Sequence, residues 1–332
     1  MSYSLYPLLF QPVFETKNWA GKRMGTFLDR QDDDTVASAG VCWQLLDSRD
    51  MQSVVRNGDL EGMPLRKLVE RFPARLVGKR HPKDKPFPVC VRLLDVGASQ
   101  PLFVHATQDM AGETADAVPN AKFWHALDAA KGASVVAGIA PRITAQQVLM
   151  QLESAQLSDL LHQFPTRVGD SYLIHPGIVH SIGAGNLMLE VQEQPVPPYK
   201  LSDLGTGETV DKSEQDMAVR AMQVEARHNP RISRESGPLH HTRRIRLTPH
   251  CPHFAIDDVR LRDHIYLRTK GESFDLLSVV QGSATVLPSG SDTSCAIRRG
   301  DICCIPAALG EYKVIADEDP TVLLRMSRPF LG

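Results

Sequence analysis

The chain has 332 residues, 42% of them apolar, and a formal net charge of −2. That length suits two domains with a full core in each, and the charge lacks the basic excess that nucleic acid or an anionic membrane surface calls for. No run approaches the roughly 20 apolar residues of a membrane span, and Met1–Phe14 lacks the basic start and apolar stretch of a secretory leader, so a cytoplasmic protein is expected. The cysteines (Cys42, Cys90, Cys251, Cys295, Cys303 and Cys304) form no CxxC pair and read as reduced, core-filling thiols.

Residues 64–71 read as a short helix. Strand signals follow at 89–94, 102–105 and 134–138, short apolar runs bounded by Gly, Pro or Asp. The clearest helix spans 144–161, where Thr144 and Gln147 form a capping box and Val148, Leu152 and Ala155 recur at helical spacing. Strands at 171–174 and 187–192 come next, then a helix over 213–227 with Ser213 as N-cap. The polar, basic stretch 231–246 reads as an interdomain linker, its charge a solvated face. A second strand set lies at 274–280, 283–287, 301–305, 312–315 and 321–326. Many short strands with frequent turn residues predict barrels or sandwiches.

Two stretches echo each other. Gly169-Asp170 launches a strand that ends at His175-Pro176-Gly177, and Gly300-Asp301 launches one that ends at Pro306. Two copies of one β unit would produce this pattern. The divisions expected are a first domain over 1–230 and a smaller one over 231–332.

Gly169 through Gly177-Ile-Val-His180 is similar to the second cupin motif, which turns one histidine into a barrel mouth. The first motif supplies two ligands two residues apart, because side chains i and i+2 share a strand face. Here that segment is Phe103-Val104-His105, so His105 can ligate and Phe103 cannot.

The whole chain resembles the type I mannose-6-phosphate isomerases of the short bacterial kind. Phe14-Glu-Thr-Lys-Asn-Trp19-Ala-Gly21 is similar to the family's opening Trp-Gly-Gly segment, and Gly40-Val-Cys-Trp43-Gln-Leu to its Gly-Glu-Ser-Trp-Glu. The match is best from Ile139 to Gln192, through Pro176-Gly-Ile-Val-His180-Ser-Ile-Gly183. Leu276 to Gly282 and Arg299 to Pro306 resemble the family's second barrel.

The resemblance implies two cupin-type jelly-roll barrels with a few helices, a sugar or sugar-phosphate ligand, one zinc ion, and interconversion of mannose 6-phosphate and fructose 6-phosphate through an enediol. Carried over position by position, the metal ligands retained are His105 and His180. The family's Gln falls on Phe103 and its Glu, two residues before Trp124, on Lys122. The reactive Arg falls on Lys200, and the phosphate-holding Lys and Thr on Asn120 and Ala121. Candidate catalytic residues are Glu190, Lys122 and Lys200. Lys122 either puts its ammonium in the cation's place, or neutralises Glu190 or reaches solvent. His175 and His125 are further ligand candidates, although His125 is an odd number of positions from Lys122 and belongs on the other face. His240, His241, His250 and His253 read as surface residues. The alternative function is a non-catalytic sugar-binding or regulatory relative, or one with a changed reaction.

Overall fold

The computed structural model describes every residue except 1–3, 115–116, 153–154, 194, 205–206, 208, 225–228, 233–240, 250, 292 and 330–332. The chain forms a mainly β structure with few helices, divided into two compact units. One unit comprises Met1–Val13, Trp43–Cys90 and Glu235–Gly332; the other comprises Phe14–Cys42 and Val91–Arg234. The single cut expected after residue 230 therefore lies close to one boundary and misses the others. The N-terminal segment joins the C-terminal one because Leu8–Leu9, both buried, pair with Ile302–Ile305 in the register Leu8↔Cys304 and Leu9↔Cys303. The ladder takes up backbone groups of this segment, and Leu9 is further tied to Asn57 and Arg56: its N–H donates to Asn57 Oδ1 at 2.8 Å and its carbonyl accepts from the Arg56 N–H at 2.9 Å.

In this first unit a six-stranded sheet runs in the order Leu8–Leu9, Ile302–Ile305, Asp275–Gln281, Thr321–Ser327, Ala255–Leu261, Arg243–Arg246. A four-stranded sheet runs His264–Arg268, Glu311–Ala316, Ser283–Pro288, Cys295–Arg298. Alternate residues from both sheets make one core, among them Val259, Leu277, Leu323, Val286 and Val314. Polar groups enter that core as a paired set. Arg325 reaches Asp257 at 3.0 Å and Asp275 at 2.8 Å, and the Tyr312 hydroxyl donates to Asp275 at 2.6 Å.

The second unit holds most residues of a seven-stranded sheet whose order is Arg231–Ile232, Ser171–Ile174, Lys122–Ala129, Asn186–Gln192, Cys90–Val96, Ala39–Leu45, Val13–Thr16. Its five-stranded sheet runs Tyr199–Ser202, Leu102–Val104, His180–Ile182, Ser134–Ile139, Leu161–Pro165. Leu102, Val104, Val179 and Leu201 turn to one face of the five-stranded sheet and pack with Val148, Ala218 and Ala221 of two helices. Period-2 alternation then puts Phe103 and His180 on the other face, toward the seven-stranded sheet.

The repeated Gly-Asp stretches are the same turn. Gly169 and Gly300 both adopt left-handed φ, +86° and +85°. Asp170 accepts from the Arg167 backbone N–H at 2.9 Å, and Asp301 from that of Arg298 at 3.0 Å. Each aspartate also pairs with a distant arginine, Arg231 at 3.0 Å and Arg56 at 2.6 Å.

Three expectations need correction. The helix over 144–161 stops early: Ala145–Met150 is α-helical with the capping box in place, Ala155–Leu160 is a 3-10 turn, and Leu161–Pro165 is a strand. Pairing of Leu161 with Ile139 and Phe164 with Val135 overrides the helical period there. The later helix is Lys212–Ala221, capped by Asp211 rather than Ser213, because the Asp211 carboxylate accepts from the Ser213 and Glu214 N–H groups. The stretch read as a solvated linker has strands at both ends, Arg231–Ile232 and Arg243–Arg246, and its residues 233–240 lie outside the described ones. Arg246 is exposed, as a solvated face expects, and pairs there with the buried Asp257 carboxylate.

Among the described residues no helix is long and apolar enough to cross a membrane. All six cysteines are buried and unpaired with one another, as expected of core thiols. Replacing Arg325 by Met leaves two buried carboxylates, Asp257 and Asp275, short of a partner. Urea denaturation should show a loss of about 3–5 kcal/mol.

Candidate functional site

The interior of the second unit gathers four of the five residues singled out above. Lys122 and Trp124 share a strand face, two residues apart. Across the ladder, Gln192 lies opposite Lys122, and Glu190 opposite Trp124. From the facing sheet, the His180 ring meets Trp124 edge-on at 5.7 Å and stacks on His105 at 5.7 Å with planes 13° apart.

A turn ties the two histidine segments together. Gly177, at φ +82°, donates its N–H to the His105 carbonyl at 3.0 Å. A Cβ there would lie 2.8 Å from Gln223 and 2.9 Å from Thr107, so only glycine fits. The next residue's carbonyl orients the second imidazole: His180 Nδ1 lies 2.8 Å from the Ile178 oxygen. A carbonyl only accepts, so Nδ1 carries the proton and Nε2 the lone pair. Both Nε2 atoms, of His105 and His180, are buried and make no hydrogen bond.

Glu190 is 1% exposed and heavily partnered. Arg92 contacts Oε1 at 2.7 Å, the Trp124 indole N–H donates to Oε2 at 2.8 Å, and Lys122 Nζ sits 3.6 Å from Oε2. Burial alone would raise its pKa. Arg92 and Lys122, with the Trp124 hydrogen bond, outweigh that and hold it at about 2. Burial, reinforced by the Lys122 charge, lowers His180 to about 3 and His105 well below the usual imidazole range. Both rings are therefore neutral at physiological pH.

Arg92 escaped the sequence reading. Its signal was a lone arginine at an interior position of an otherwise apolar run, Cys90–Val96. Lys200 stands apart from the cluster. Its Nζ donates to the Thr209 carbonyl at 3.4 Å. It nevertheless shares a row of the five-stranded sheet with His180, since Lys200 pairs with Phe103 and Phe103 with His180. His125 faces away, as its odd spacing implied, with Nδ1 2.9 Å from Ser171 Oγ. His175 is half-buried in the turn before Gly177. Asn120 and Ala121 are used internally: Asn120 Oδ1 accepts from the Glu193 N–H at 3.1 Å, and the Ala121 N–H donates to Glu193 Oε2 at 3.2 Å. His241 is exposed, while His240 and His250 lie outside the described residues.

The donor set can be tested against a zinc ion. Two imidazoles whose Nε2 atoms make no hydrogen bond, that of His180 left with its lone pair by the Ile178 carbonyl, suit such an ion. The remaining groups do not. A catalytic zinc takes three protein donors plus water. Among the described residues no group of three or more His, Cys, Asp or Glu side chains is placed to hold a metal. Glu190 is already engaged, and Lys122 brings an ammonium. At about 4 Å and an effective dielectric near 20, a unit charge and a dication of like sign repel by about 8 kcal/mol. The residues present do not fit a conventional zinc site.

The buried neutral histidines make stability depend on pH. Their folded pKa values lie below the unfolded value of 6.5. Between those limits the unfolded chain binds more protons, so stability rises with pH there. It is fully present above about 6.5 and falls as pH drops toward the folded values. Melting temperature measured against pH should decline below about 6.5, and the His180→Gln variant should flatten that decline.

No family model matches the chain. Relatives do. Mannose-6-phosphate isomerase ManA of Bacillus subtilis (strain 168) is 26% identical over 323 residues, 93% of this chain and 95% of that one. The crystal structure of the mannose 6-phosphate isomerase from Bacillus subtilis superposes with a TM-score of 0.81 at 23% identity, covering 97% of this chain and 99% of that one. A mannose 6-phosphate isomerase solved with zinc and yttrium gives 0.73 at 13% identity, over 98% of this chain and all of the other. The chain is a homologue of the mannose-6-phosphate isomerases, related to them in sequence and in fold over nearly its whole length.

Proposed function

We propose that the protein binds a phosphorylated hexose at the His105–His180–Lys122–Glu190 cluster and interconverts its aldose and ketose forms, mannose 6-phosphate and fructose 6-phosphate. The kinship with ManA over 93% of the chain carries the reading. It also supports taking the paired sheets of each unit as cupin-type jelly-roll barrels. Zinc enters through the solved relative that holds it. This chain's described donors do not suit that ion, so the chemistry is assigned here to side chains alone. Buried, unpaired thiols suit a reducing compartment, which supports a cytoplasmic location.

The reaction moves a proton between neighbouring carbons while negative charge grows on the carbonyl oxygen. Lys122 supplies a buried positive charge for that oxygen. The His180 Nε2 lone pair is the open acceptor for the proton. Glu190, with both oxygens occupied, holds Lys122 and Arg92 in place. Lys200, in the same sheet row as His180, offers a cation to the phosphate.

One observation favours a second reading, binding without turnover. At about 3 for His180 and about 2 for Glu190, neither group is matched to accept a proton at neutral pH. A coupled assay with mannose 6-phosphate separates the two. The isomerase reading expects turnover that drops about 100-fold or more in His180→Ala. Lys200→Ala should raise KM more than it lowers kcat, by about tenfold. Calorimetric binding of the sugar phosphate with no turnover would establish the second reading, and neither binding nor turnover would sink both.

A further inference from the structure

We infer that Lys122 takes the place of a metal cation in this chain: its ammonium, ion-paired with Glu190 on the sheet face whose Trp124 meets the His180 ring, makes a built-in cationic site that meets a ligand oxygen without zinc. The lysine is not a surface residue reaching inward. Its side chain is 5% exposed, and its nitrogen lies 3.6 Å from a carboxylate that is itself 1% exposed.

Charge balance favours the ammonium over an added dication. Arg92 and Lys122 bring two positive charges and Glu190 one negative, so these three side chains together stand at +1. Zinc would take the set to +3 in a site of low dielectric. Replacing Lys122 by Glu and then adding zinc returns the set to +1. The same replacement gives the two imidazoles a carboxylate neighbour and completes three donors.

The ligand chemistry follows from the same atoms. An ammonium carries three donors, and that of Lys122 lies 3.6 Å from Glu190 Oε2. The His180 Nε2 lone pair only accepts. Together they match a group with an accepting oxygen beside a donating hydroxyl, the pattern of a sugar carbonyl or hydroxyl pair. This holds whether or not turnover occurs.

The test uses the full chain purified without chelator, with zinc counted by plasma mass spectrometry and titrated by calorimetry. Wild type should carry no stoichiometric zinc. Lys122→Glu should bind one zinc per chain, more tightly than wild type by over about two orders of magnitude. Lys122→Gln, which removes the charge without adding a ligand, should fall between them. If Lys122→Glu does not fold, the wild-type count and the Lys122→Gln titration still decide. Stoichiometric zinc in wild type that is lost in His180→Gln overturns the inference, and so do folded variants that bind zinc no better than wild type. Mannose 6-phosphate binding should be the same with and without EDTA. Binding abolished by EDTA also overturns the inference. Absence of binding under both conditions, with the zinc pattern as expected, instead counts against the isomerase reading.

Discussion

The Glu190 carboxylate is 1% exposed, and an ionised carboxylate taken out of water costs several kcal/mol unless charged and hydrogen-bonding partners replace the solvent. Arg92, Trp124 and Lys122 are those partners, and each comes from a strand of the seven-stranded sheet. Their positions follow from the register that sets Glu190 opposite Trp124 and Gln192 opposite Lys122. A one-residue slip would turn Glu190 and Gln192 to the opposite face and strand three charges without partners. The carboxylate thus helps pin the register on which the neighbouring histidines depend.

The first unit meets the same requirement with a different set. Asp257 and Asp275 are buried between strands and share Arg325, with Tyr312 donating to Asp275. Burial raises the pKa of Asp275 even though Arg325 opposes the shift. Glu190, with two cations and an indole donor, moves the other way. Partner number decides the direction when burial is equally deep. Both units also use one Gly-Asp turn, in which a left-handed glycine and an accepting carboxylate start a strand.

Kinship with the mannose-6-phosphate isomerases extends over nearly the whole fold. A fold carries side chains to positions, and the reaction depends on which side chains arrive. Here two imidazoles and a carboxylate arrive with an ammonium among them. The backbone devices that aim the histidines are intact, including the Gly177 turn and the Ile178 carbonyl.

Much of this was legible from local sequence. Strand positions at 171–174 and the alternation Leu102-Phe103-Val104-His105 placed the inward residues correctly, because a strand's period of two depends only on the chain itself. The sequence leaves Lys122 able to pair with Glu190, to reach solvent or to stand in a cation's place, and the structure sets its Nζ 3.6 Å from Glu190. The role of Arg92 was hidden, since an arginine in an apolar strand shows its purpose only once a carboxylate arrives across the sheet. The strand at Leu161–Pro165 and the attachment of Leu8–Leu9 were hidden for the same reason: both are set by hydrogen bonds to partners far along the chain. Sequence determined the local periods, caps and turns, which are short-range properties of the backbone. Only the tertiary structure decided which charges meet, because pairing a buried charge requires bringing together residues as distant as Arg92 and Glu190.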